Sequence, residues 1–277
     1  MTRWIFRHYA FGAIAVEVAV CAVLIPYLLW RDMSFPVYLL VVLAALLAGL
    51  VPWVLLWRHC AQKLVAAAAR ALDEDCDPGP LLDYARDVVR QMDPKGKRKT
   101  SGAQMGCINE ATALQCMGEY GQALDILDGL LPWLPKKPGP LTFLYWNNRT
   151  ALCFHLGRAE EMAECLARAQ AEAEGFEVPP LYRESFPYAL RTNRAALRLL
   201  REGPTGELEQ VYRELLETAS CQRLRVGCHL TLGKCAQARG DLDEAREHYR
   251  YAAEHGGKLA HQREAEGRLG QIGEVWH

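Results

Sequence analysis

The sequence predicts an all-α chain: an N-terminal transmembrane helical hairpin, then a stack of about four helix pairs and a C-terminal capping helix. Three observations predict it. Two apolar runs, 9–30 and 35–57, stand near the N-terminus with only Arg31-Asp32-Met33-Ser34 between them. Beyond them the chain is charged, Ala-rich and Leu-rich, as packed helices require. Amphipathic segments also recur around single glycines at Gly118, Gly157, Gly203 and Gly240, with small residues where two helices must touch.

Each apolar run can cross a hydrocarbon core of about 30 Å, which takes a helix of ~20 residues. So short a link leaves only an antiparallel hairpin over 1–57. Trp4, Trp30, Trp53 and Trp57 lie near the run ends, where amphipathic rings settle at headgroups. Arg3, Arg7, Arg58, Lys63 and Arg70 flank the hairpin, whereas the link carries only Arg31 beside Asp32, so the positive-inside rule places both termini, and with them the helix pairs, in the cytoplasm; the expected location is a bacterial cell membrane. A cleaved signal peptide is the rival, but no Ala-x-Ala site ends the first run and a second follows at once. Glu17 sits near the middle of the first run, where an ionised carboxylate costs ~3 kcal/mol or more. It is the candidate intramembrane contact, expected to be protonated, paired or facing another helix.

The second helix is predicted to run on through Arg58 to Leu72 on the stripe Leu64, Val65 and Ala68. Asp73, Glu74, Asp75 and Asp77 then lead into Pro78-Gly79-Pro80 without the spacing of a calcium loop, and read as a solvated break. A short helix, Leu81 to Met92, ends at Asp93-Pro94. Lys95, Lys97, Arg98 and Lys99 form a basic linker that can touch anionic lipid. With no interleaved aromatic platform and a net charge of −1, nothing points to nucleic acid.

Helix pairs follow from 103 to 257. The first, Met105 to Leu131, has Ala111 before Gly118 and Ala123, Leu127 and Leu130 after it. The second, Leu144 to Ala169, turns at Gly157 and carries Met162 where Ala is expected, which predicts looser packing. The third holds Ala196, Gly203, Leu208, Tyr212 and Leu215; the fourth runs over Leu232–Ala252. The turn glycines are 39, 46 and 37 residues apart, the widest interval absorbing Pro179-Pro180. A polar helix over 258–277 is expected to cap the stack.

The fourth pair, LGKCAQARGDLDEAREHYRYA, places Gly233 before turn residue Gly240 and Ala245, Tyr249 and Ala252 on one face after it. This resembles the tetratricopeptide repeat (TPR), whose pattern pairs Leu-Gly with a later Ala, aromatic and Ala. Asn148 to Ala151 in the second pair also resembles a first-helix segment of that family. The resemblance implies a TPR-like α-solenoid whose first helices line a concave face that binds a protein or peptide. The partner-binding candidates on that face are Thr112, Gln115, Asn147, Asn148, His155, Asn193, Arg194, Lys234 and Gln237. Chaperone-binding members grip a terminal carboxylate with Lys, Asn and Arg. Asn148 and Arg194 match two of those places, but Ile108 and Thr112 stand where Lys and Asn should be, which argues against that ligand. For Asn148 the competing role is a hydrogen bond between neighbouring repeats.

The ten cysteines include no CxxC pair or zinc spacing and suit a reducing compartment. No phosphate-binding glycine loop, nucleophile elbow or HExxH is present, so neither catalytic residues nor a cofactor or metal is predicted. The expected function is a membrane-anchored scaffold that binds a protein partner through its cytoplasmic repeats, with the bilayer holding 9–57. The alternative is a subunit of an integral membrane complex whose hairpin makes the working contact.

Overall fold

The structure is a computed structural model that describes residues 2–30, 35–93 and 95–273. All described elements are helical, with turns between them and no strand among the described residues. The link 31–34, Pro94 and the tail 274–277 lie outside the described residues, as do the side chains of Trp4, Trp30 and Trp57. By its contacts the chain divides into two compact units, Met1–Ala67 and Ala68–His277.

The first unit contains α1 (Thr2–Trp30) and most of α2 (Phe35–Asp73). Half-buried Gly12, Ala13, Val16, Glu17, Val20 and Cys21 fall on one stripe of α1. That stripe meets α2 closely: a Cβ at Gly12 would lie 2.1 Å from the Trp53 ring, and one at Gly49 would lie 3.1 Å from Val16. Because Gly12 meets Trp53 while Val16 meets Gly49, the two helices run antiparallel. Glu17 therefore shares the face turned toward α2. The opposite faces present Val18 and Val23 on α1 and Leu39, Leu43 and Leu47 on α2, all more than half exposed. Among the described residues one helix, α2, is long and apolar enough to cross a membrane, with a mean hydropathy of 2.8 over its apolar window; the described apolar stretch Gly12–Tyr27 of α1 is shorter. As the alanine-rich stripe predicts, α2 runs unbroken to Asp73.

The second unit begins where Ala68 and Leu72 of α2 enter its core. It contains α3 (Gly79–Met92), then the pairs α4 (Ser101–Met117) with α5 (Tyr120–Leu130), α6 (Pro140–His155) with α7 (Ala159–Glu174), α8 (Ser185–Glu202) with α9 (Gly206–Glu217), and α10 (Gln222–Ala238) with α11 (Leu242–His255), and finally α12 (Ala260–Gln271). The starts are set by side chains that accept orphan helical amides: Thr100 from Ala103, Thr205 from Leu208 and Asp241 from Glu244. All four predicted turn glycines have positive φ, from 71° to 86°, which L side chains rarely adopt.

Small residues sit where the pairs close. A Cβ on Gly233 would lie 2.5 Å from the Tyr249 ring, and Ala245, Tyr249 and Ala252 are wholly buried. The second pair differs from expectation, because Met162 is also wholly buried, clustered with Cys153, Cys165 and Ala196, whose small side chains leave it room. The wide interval between the second and third pairs is not slack: Tyr182 stacks on Phe186 at 4.7 Å and Phe186 on Phe143 at 3.8 Å, pinning the connection to α6.

α4, α6 and α8 pack in a row, whereas α10 packs mainly on α9 and α11. α12 covers α10 and α11 and also reaches α4, where Ala260 closes on Gly118 and Arg263 donates to the Met117 carbonyl at 2.5 Å. The turn before α12 meets the turn before α3. The Lys258 amide donates to the Cys76 carbonyl at 3.0 Å, Lys258 Nζ pairs with Asp77 at 2.6 Å, and Arg223 of α10 pairs with Asp73 at 2.9 Å. One continuous core therefore contains Leu72 and Leu82 near its start together with Leu259 and Leu269 near its end. α12 thus joins the two ends of this unit.

Candidate functional site

The predicted groove residues on the first helices are of two kinds, and one of them, Asn193, is buried rather than open to a groove. In the row α4–α6–α8 they bond one another: Asn148 donates to Thr112 Oγ1 and Asn193 donates to Asn147 Oδ1, both at 2.9 Å. Thr112 in turn donates to the Ile108 carbonyl one helical turn back. These amides tie α6 to α4 and α8 to α6, a structural role of the kind that competes with ligand contact for Asn148. Gln115 is half-buried in the last turn of α4, and exposed Arg194 donates to Gln170 of α7 at 2.8 Å.

The remaining three meet α12 or lie beside it. His155 stacks on Tyr120 with ring centroids 4.5 Å apart, and its ring centre lies 6.0 Å from that of His261. Burial, reinforced by nearby Lys234, pushes His155 down to about 4; burial, His155 and Lys234 do the same to His261. Both rings are therefore neutral at pH 7. Lys234 Nζ lies 2.7 Å from Glu264 Oε1, and Arg268 lies 3.7 Å from the same oxygen. Burial, the largest single influence, would raise the Glu264 carboxyl, but Lys234 and Arg268 together hold the group below its usual range. Gln237 accepts the Tyr249 hydroxyl at 2.7 Å.

A pocket of about 390 Å³ opens here, between the ends of α6, α8, α10 and the face of α12. Its apolar wall is Phe154, Leu199, Leu200 and Pro204; its polar wall is Lys234, Gln237 and Arg268. One carboxylate between two cations leaves a single positive charge. The pocket suits an apolar group that ends in, or lies beside, a carbonyl or carboxylate.

Two of the predicted groove residues, Lys234 and Gln237, thus line a shallow pocket open to solvent. The apolar wall and Arg268 were not anticipated from sequence. A weak signal existed in Leu199-Leu200, an apolar pair between Arg198 and Arg201 near the end of α8. For Arg268 there was none, since its place depends on α12 folding back.

The other predicted contacts are distributed. Arg98 is turned inward, its guanidinium donating to the Ile126 carbonyl at 3.1 Å, while Lys95, Lys97 and Lys99 are exposed. All ten cysteines are free thiols, seven of them buried, and among the described residues no group of three or more His, Cys, Asp or Glu is placed to hold a metal ion. Set against protein-family models, curated proteins and solved structures, the chain finds no match.

Proposed function

We propose that this chain is a membrane-anchored adaptor of TPR-like build, held by the α1–α2 hairpin with both termini and the helix-pair unit in the cytoplasm, whose pocket captures an apolar side chain of a protein segment. The observation that carries this reading is the pocket itself, an apolar wall facing Lys234 and Arg268. Side-chain apolar contact gives affinity there, and the net positive charge orients a main-chain carbonyl or a carboxylate. The anchoring half rests on the length and apolarity of α2 and the exposed Leu and Val faces of both helices. Tethering then raises the local concentration of the pocket near membrane partners. The alternative, a hairpin that pairs with another membrane protein through Glu17, draws less support, because Glu17 shares the stripe that faces α2.

The test is photo-crosslinking on the full chain in cells, with p-benzoylphenylalanine replacing Leu200, followed by mass spectrometry of the captured species. A single protein captured at Leu200, lost on Lys234→Glu with Arg268→Glu and retained with Glu17→Gln, is the expected result. Capture that survives the charge reversals but vanishes with Glu17→Gln would move the function to the hairpin.

A further inference from the structure

Two segments far apart in sequence, 95–99 and 131–137, form one surface. Gln104, only 4% exposed, joins them: its side-chain amide donates to the Arg98 carbonyl at 3.0 Å and to the Trp133 carbonyl at 2.6 Å. Arg98 takes a positive φ of 45° and lays its guanidinium across α5, over Gly129, where any side chain would collide with it. Asp93 accepts the amides of Lys97 and Arg98, so its carboxylate is engaged with the loop's own backbone. The basic linker is thus a shaped loop rather than a loose tether.

What this loop presents is one-sided. Lys95, Lys97, Lys99, Lys136 and Lys137 are exposed, and neither segment contains an acidic residue. Among them project Leu131 and Trp133, 44% and 41% exposed, the Trp133 ring with Lys99 Nζ 5.8 Å from its centroid. An exposed indole and leucine ringed by lysines match the two layers of an anionic bilayer surface: amphipathic aromatics settle at headgroup level and clustered lysines meet negative lipid. An acidic protein would complement the charge, but it would not by itself call for the protruding apolar pair.

We infer that the face formed by Leu131, Trp133 and the five lysines docks on an anionic lipid surface, giving the second unit its own contact with the membrane. This rests on the anchored reading of α1 and α2 and adds a contact outside them. Arg98 is a positioning residue for the face rather than one of its cations.

The test uses the full chain reconstituted into vesicles of dibrominated phosphatidylcholine, with or without about a quarter phosphatidylglycerol. Bromine carried on the acyl chains quenches tryptophan that inserts beside them, and subtracting the emission of Trp133→Phe isolates Trp133 from the tryptophans of the hairpin. We expect loss of the Trp133 emission only when phosphatidylglycerol is present, its recovery in about 1 M salt, where screening falls to about 3 Å, and its recovery in Lys97→Glu with Lys99→Glu. Reversal at Lys136 and Lys137, both exposed and outside the helices, should do the same. Quenching that ignores phosphatidylglycerol, or no quenching of Trp133 while the remaining tryptophans are quenched, overturns the docking face and leaves the anchor standing. If the Trp133→Phe protein is itself unquenched, the anchor fails and the docking face with it. A Trp133 emission that shifts with polyglutamate but not with lipid would assign the face to an acidic protein instead.

Discussion

Truncating Leu259 tests whether the two ends of the helix-pair unit share one core. Leu259 is wholly buried in the turn before α12 and belongs to the same core as Leu72, Leu82 and Leu114. Leu259→Ala removes buried methyl groups and leaves a cavity that costs 2–5 kcal/mol, so about 3 kcal/mol is a fair central value. In an open stack each pair touches only its neighbours, and the loss would stay with α11 and α12. Here α12 also touches α4, and the Lys258 amide bonds the turn before α3. The amides of α3 and α4 should therefore exchange faster too, by on the order of a hundredfold where they open with the whole unit. Hydrogen exchange read by mass spectrometry on the full chain in detergent measures this peptide by peptide. Faster exchange confined to 242–273, with α3 and α4 unchanged, would refute the shared core.

Three other outcomes are expected. Gly233→Ala should lower the melting temperature, because the new Cβ falls 2.5 Å from the Tyr249 ring and overpacking costs 1–3 kcal/mol against a helix-propensity gain of about 1 kcal/mol; a rise in melting temperature would mean that Tyr249 has room to retreat. Met162→Ala restores the residue that the repeat pattern expects, yet it should cost ~2–5 kcal/mol in denaturant unfolding, since Met162 is wholly buried. Acid should destabilise the unit from about pH 6.5 downward, most steeply between there and about 4. Burial pushes His155, His229 and His261 each down to about 4, so between those values the unfolded chain binds more protons than the folded one, by up to about three. A melting temperature flat across that window, or a slope unchanged by His261→Gln, would contradict it.

The local rules carried far because they depend on neighbours in sequence. Helices over 9–30 and 35–57, the continuation to Leu72, the four turn glycines and the close approach of Gly233 to Tyr249 all follow from apolar length, positive φ and helical spacing, and each is where those rules place it. Asn148 was ambiguous for a reason of the same kind. Its position on a first helix was legible, but whether it meets a ligand or Thr112 depends on the distance between repeats.

Sequence alone thus determined an all-helical chain and the long apolar α2. Only the tertiary structure decided that α12 returns to α4, that Lys234 and Arg268 flank Glu264 beside an apolar pocket, and that Lys99 meets Trp133. The physical reason is reach. Hydrogen bonds and side-chain spacing within a helix act over three or four residues, so they are written locally. Contacts such as Arg223 to Asp73 and Lys258 to Asp77 join residues well over a hundred positions apart, and they are set by the accumulated packing of every helix between them.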